Sequence, residues 1–158
     1  IQARVGGVTG SSGVVGSATD GLLASKGGRV LINYNSNEAG AKKTAAACKA
    51  LGAETIIFKG NVAEDGDCRA MAEAALSQWG RIDILVNNAG TTKFVEHSDL
   101  EGLDAADFQR IYGVNVVGAF QMIRAVAPAM EKLEEGGAVV NVASTAGVTG
   151  SGLAHTHI

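Results

Sequence analysis

Apolar and polar positions along this chain follow two alternating rhythms. Five short runs are dense in apolar residues and predict strands: 3–9 (ARVGGVT), 29–34 (RVLINY), 54–60 (ETIIFKG), 82–88 (IDILVNN) and 137–143 (GAVVNVA). The first is the weakest strand former, because Gly7 stands where a β-branched residue would pack better. The fourth holds a continuous apolar run, as expected of a strand covered on both faces. The intervening stretches 12–27, 37–52, 63–80 and 104–133 predict helices. The first carries Leu22 and Leu23 and stops at Gly27-Gly28, although Asp20 and Gly21 interrupt its apolar face. The second is Ala-rich and ends at Gly52. The third has acidic residues in its first turn, then Met71, Ala72, Ala75, Leu76 and Trp79 on one face. The fourth is a single long helix with Asp104 as N-cap. Phe108, Ile111, Val114 and Phe120 lie on or near its apolar side, and Pro128 kinks it near its end.

Strict β-α alternation predicts an α/β fold, a doubly wound parallel sheet with helices on both faces. No long linker, low-complexity segment or solenoid-type repeat divides the chain, so residues 1–158 form one domain.

Composition narrows the function classes. The chain is 46% apolar and 18% charged, the balance of a globular protein. A net charge of -3 gives no electrostatic footprint for a nucleic acid or an anionic membrane. No apolar run approaches the roughly 20 residues of a membrane span. The N-terminus lacks a signal-peptide pattern and begins without Met, and a cytoplasmic location is expected. Cys48 and Cys68 form no CxxC motif and fit small buried residues in a reducing compartment. The 22 glycines are about twice the usual share and suggest backbone brought close to something.

In doubly wound sheets, ligands bind outside the carboxyl ends of the strands. Three constellations fall there. After the first strand comes TGSSGVVG, with Gly10, Gly13 and Gly16 between a strand and a helix. Such a turn gives pyrophosphate a close backbone approach and a helix N-terminus. After the fourth strand comes NNAG, residues 87–90, where an Asn side chain can pin backbone and small residues let a ligand lie close. Ser144 follows the fifth strand.

With TGSSGVVG, GNV at 60–62, LVNNAG at 85–90, Asn115 in VNVVGAF and Ser144 in VVNVAST, the chain resembles the short-chain dehydrogenase/reductase family. Its nearest likeness is to the 3-oxoacyl-carrier-protein reductase type. The resemblance spans about residues 5–150 and implies a Rossmann fold with strand order 3-2-1-4-5. It implies an NAD(P)-dependent oxidoreductase that moves a hydride between nicotinamide and a small carbonyl or alcohol substrate. It places the pyrophosphate at Gly10, Ser12, Gly13, Val15 and Gly16, the adenine at Asn61 and Val62, and the ribose at Asn88, Ala89 and Gly90. The segment after the second strand, Asn33 to Asn37, holds amides and a hydroxyl and no acid before Glu38. That favours NADP, with NAD as the alternative. Ser144 would position the carbonyl oxygen, and Asn115 would hold a water in the proton relay. The resemblance also implies a homodimer or homotetramer through the long helices.

The chain departs from the family pattern in two ways. Its Tyr-x-x-x-Lys pair is missing, and the position of that Tyr falls at His157. The residues given therefore fit the cofactor-binding part of a longer enzyme, inactive by itself. A metal site at the terminal His-Thr-His would need His97 as well, and no metal is expected. The glycine spacing is that of the epimerase and dehydratase branch, against which NNAG argues. The alternative function is a non-catalytic dinucleotide-binding protein that lacks the Tyr and Lys.

Overall fold

The computed structural model describes residues 1–96 and 98–149. Five parallel strands form one sheet: β1 (Val5–Val8), β2 (Arg29–Tyr34), β3 (Thr55–Lys59), β4 (Ile84–Asn87) and β5 (Ala138–Asn141). Their order is β3-β2-β1-β4-β5, as the family resemblance implies. The helices α1 (Val14–Ser25), α2 (Glu38–Ala50), α3 (Asp65–Trp79), α4 (Ala105–Tyr112) and α5 (Gly118–Met130) connect them, and a short α6 (Ala146–Thr149) follows β5. The sequence pattern gave no sign of α6.

Strand alternation divides the core in two. Val8, Val30, Ile32 and Val86 pack with Leu23 and Ala24 of α1 and Ala41, Ala45 and Cys48 of α2. On the other face Val5, Leu31 and Leu85 meet Met71, Ala72 and Ala75 of α3 and Met122, Val126 and Met130 of α5. Gly7 leaves open space on this second face, where a Cβ would meet nothing within 4 Å. The first helix buries Gly16, Asp20, Leu23 and Ala24 and turns Leu22 outward. Asp20 thus occupies a core position.

The expected helix over 104–133 is interrupted. A five-residue π-helical turn, Gly113–Val117, separates α4 from α5, and the Gly118 N–H bonds to the Gly113 carbonyl. The π turn shifts the helical phase. Ile111 is fully buried, whereas Phe108 and Phe120 face outward rather than into an apolar side. The helix start is as expected: Asp104 caps the Asp107 N–H at 2.9 Å and Asp107 reciprocates. Pro128 lies in the last turn of α5, which ends two residues later.

Sheet and helices are anchored at the far edge by Asp83. Arg4 and Arg81 donate to its carboxylate, and the Val5 N–H bonds to it at 2.8 Å. Burial alone would raise this acid. The hydrogen bonds from Arg81, Arg4 and Val5 outweigh burial and take it down to about 2.

Candidate active site

The site begins where β1 ends. Gly10 adopts φ +69, and a Cβ there would stand 2.9 Å from the Ala89 Cα. A Cβ at Gly16 would fall 2.6 Å from the Gly10 carbonyl oxygen, so only glycine lets α1 rest on the turn. Gly13 is the N-cap of α1 and makes no side-chain cap. The first-turn amides of α1 are therefore left without a side-chain partner, as anion binding at a helix N-terminus requires. Val14, at the unusual place in the glycine spacing, is 86% exposed, and Val15 beside it is exposed too. The spacing folds without a clash.

Thr9 and Asn88 fasten the glycine turn to the end of β4. The Thr9 hydroxyl oxygen accepts from the Asn88 and Ala89 amides at 3.0 and 2.9 Å. The Asn88 side chain donates to the Thr9 carbonyl at 2.9 Å and to the Gly10 carbonyl at 3.3 Å. Thr9 was not recognised from the sequence, although a hydroxyl immediately before the glycine turn was the available signal.

Asn33, at the end of β2, is 2% exposed and faces inward. It accepts the Gly10 N–H at 3.1 Å and donates to the Gly60 carbonyl at 2.9 Å. Its side chain ties the glycine turn to the end of β3 and is not presented to a ligand, which corrects its expected place facing a 2′-phosphate. Asn35 and Ser36 are exposed there, while Asn37 caps α2 through the Gly40 N–H. Its side chain also reaches the Ser12 carbonyl. The nearest cation on α2, Lys42, is paired with Glu38 at 2.6 Å.

At the end of β3, the Asn61 side-chain oxygen accepts the Ala63 N–H at 3.1 Å, which leaves it a second lone pair. The Val62 side chain is buried, and its carbonyl accepts from Gln121 of α5 at 2.8 Å.

Beyond the ends of β4 and β5 opens a cleft of about 750 Å³. Val62, Asn88, Ala89, Gly90, Asn115 and Ser144 all line it. Asn115 lies in the π turn and clamps Thr91 from both sides: its oxygen accepts the Thr91 N–H at 2.8 Å and its amide donates to the Thr91 carbonyl at 3.0 Å. Such turns recur at functional sites because they re-aim side chains. The exposed Ser144 hydroxyl oxygen accepts from the Ala146 N–H at 3.2 Å. The register partners Asn87 and Asn141 add a side-chain bond of 2.8 Å across the cleft floor. Asn87 belongs to the NNAG motif, and the polar place of Asn141 within an apolar strand was the available signal for its partner. Ser12, Gly13, Val15, Gly16, Asn33 and Asn61 lie outside this cleft, at the turn and the ends of β2 and β3.

No ionisable side chain lines the cleft among the described residues. The nearest charges brace its wall: Arg110 donates to the Thr91 hydroxyl at 2.9 Å, and Lys93 meets Asp107 at 2.7 Å, lowering that carboxyl. No group of three or more His, Cys, Asp or Glu among the described residues could hold a metal ion. His97 and His157 lie outside the described residues. Cys48 and Cys68 are free and buried, and burial pushes both thiols up to about 11. No described helix is long and apolar enough to cross a membrane.

Comparison with known proteins fits this architecture. A family model described as short chain dehydrogenase matches residues 5–156. The chain is 34% identical over 151 residues to a 3-oxoacyl-[acyl-carrier-protein] reductase of Synechocystis sp., with 96% of this chain and 60% of that protein covered. A crystal structure from Burkholderia xenovorans, described as a short-chain dehydrogenase/reductase, superposes with a TM-score of 0.93 at 36% identity, covering 99% of this chain and 66% of that one. An NAD+-bound xylitol dehydrogenase gives a TM-score of 0.88 at 30% identity, covering 99% of this chain and 58% of that one. The chain spans 56 to 60% of the length of curated relatives that it matches.

Proposed function

This chain belongs to the short chain dehydrogenase family, and from that premise we propose that it is the dinucleotide-binding part of an NAD(P)-dependent oxidoreductase acting on a carbonyl or alcohol. The observation that carries the proposal is the bond network of Asn88 and Thr9. It joins the glycine turn and the cleft into one continuous edge, along which an extended dinucleotide would lie. The uncapped start of α1 suits a pyrophosphate.

The residues divide the work by position. Gly10, Gly13, Gly16, Ser12 and Val15 hold the pyrophosphate end, Asn61 and Val62 the adenine, and Ala89 and Gly90 the ribose nearer the cleft. Nicotinamide, when bound, supplies or accepts the hydride. The Ser144 hydroxyl orients the carbonyl oxygen at the cleft mouth. Asn115 fixes the Thr91 backbone and with it the wall on which substrate rests. No proton donor is assigned among the described residues, because neither Tyr34 nor Tyr112 has a lysine four residues on and no ionisable group lines the described cleft.

The exposed amides and hydroxyl of Asn35 and Ser36 would accept a 2′-phosphate, so NADP is proposed over NAD. A 3-oxoacyl or other ketone is the proposed substrate. Association through α4 and α5, as a dimer or tetramer, fits the outward-facing Phe108, Tyr112 and Phe120. The uncharged cleft favours one second reading, a dinucleotide-binding protein without turnover. The full-length protein, assayed for oxidation of NADPH and of NADH with a 3-oxoacyl thioester, separates the two. Turnover supports the reductase; tight dinucleotide binding without turnover of any carbonyl supports the binder.

A further inference from the structure

Asp20 lies on the buried face of α1, one turn beyond Gly16 and one before Leu23 and Ala24. It is 0% exposed, and neither carboxylate oxygen has a hydrogen-bond partner. Its surroundings are those of the phosphate turn. The Ser11 hydroxyl stands beside it and donates to the Val8 carbonyl at 2.7 Å. The Ser11 backbone donates to the Asn33 carbonyl, and its own carbonyl accepts from Thr44 of α2 at 3.1 Å. A charge at Asp20 would therefore sit directly behind the turn.

The elements packed on α1 offer no cation to hold that charge. β1 and β2 present Val8, Val30, Ile32 and Tyr34 to this core, and α2 presents Ala41, Ala45 and Cys48. Cys48 is the titratable group that feels Asp20, which raises its thiol further. Lys42, Lys43 and Lys49 lie on the exposed side of α2. Burial pushes the Asp20 carboxyl up to about 8, against a weaker pull from Ser11.

We propose that Asp20 is a proton-controlled latch behind the glycine turn. Neutral, it stays between α1 and α2, and the turn keeps its binding shape. Ionised, it seeks water, loosens α1 from the sheet and sets a negative charge behind the pyrophosphate, so dinucleotide binding weakens as pH rises. The latch rests on the dinucleotide reading of this edge. By linkage, a dinucleotide that prefers the neutral form must draw a proton onto the protein as it binds at mildly alkaline pH.

NADH is the suitable probe, because its own charge is constant between pH 7 and 9.5; Cys48 and Cys68 also stay neutral over most of that range. The full-length protein and its Asp20→Asn and Asp20→Ala variants are titrated with NADH across it, and calorimetry at pH 8.5 in two buffers of different ionisation enthalpy counts the protons taken up. The latch predicts that affinity falls about tenfold or more in the native protein, with proton uptake on binding, and that both variants lose the uptake and flatten the profile. Equal pH profiles in native protein and variants, without proton uptake, would overturn the latch while leaving the dinucleotide reading in place. Absence of NADH and NADPH binding at pH 7 by a folded protein would overturn that reading, and the latch with it.

Discussion

The two halves of the ligand-binding edge are built differently. Around β1, β2 and β3 the polar side chains are spent on the protein's own backbone: Asn33 on Gly10 and Gly60, Thr9 and Asn88 on each other's segments. Beyond β4 and β5 the surface is open. All four residues of β5 are exposed, Val140 at 50%, and the exposed Ser144 lines the cleft. A finished, internally bonded half suits binding one fixed ligand through backbone groups. An open half with apolar strand residues facing water suits contact with further protein and with a substrate. The first half should set affinity for the dinucleotide and the second should set turnover.

Substitutions can break that division. Ser144→Ala should lower turnover of the full-length enzyme by about 100-fold or more while NADPH affinity stays unchanged; steady-state kinetics beside a binding titration would show it, and an equal loss in both would erase the distinction. On the other side, Asn33→Ala leaves the Gly10 N–H and the Gly60 carbonyl buried and unpaired. It should cost about 3 kcal/mol in a denaturant melt and weaken dinucleotide binding, with kcat at saturating cofactor largely kept.

Asp83 tests the frame common to both halves. Its carboxyl is lowered to about 2 in the folded chain, from an ordinary value of 3.8. The folded state thus binds fewer protons than the unfolded one, so this contribution is present above about pH 4 and is lost as pH falls towards 2. Its size is roughly 2 kcal/mol. Asp83→Asn should remove that acid-dependent slope from the unfolding free energy measured between pH 5 and 2. The smallest expected effect is at Gly7. A Cβ there meets nothing, so Gly7→Ala should raise stability by about 0.5–1 kcal/mol without touching either half's function.

The fold was legible because its signals are local and repeated. Five apolar runs between four helical spacings leave little but a doubly wound sheet, and the family likeness supplied the strand order. The π turn was not legible. Residues 104–133 carry an unbroken helical pattern, and within the turn Asn115 bonds to Thr91, distant in sequence. Phe108 and Phe120 face outward rather than into the apolar side. The site was legible as a set of strand ends, since NNAG, Asn115 and Ser144 do line one cleft. Side-chain direction was not: an Asn at the end of β2 reads as a ligand contact, and only the parallel register brings Gly60 within its reach. Asp20 registered as an interruption of an apolar face, but its full burial depends on how α2 crosses α1.

The most direct test of the central claim is a fluorescence titration of the full-length protein with NADPH and NADH, beside the Gly16→Val variant. The account predicts saturable binding, tighter for NADPH, and its loss in the variant, whose Cβ would strike the Gly10 carbonyl. A natively folded protein that binds neither dinucleotide, or that binds equally well with valine at position 16, would contradict it.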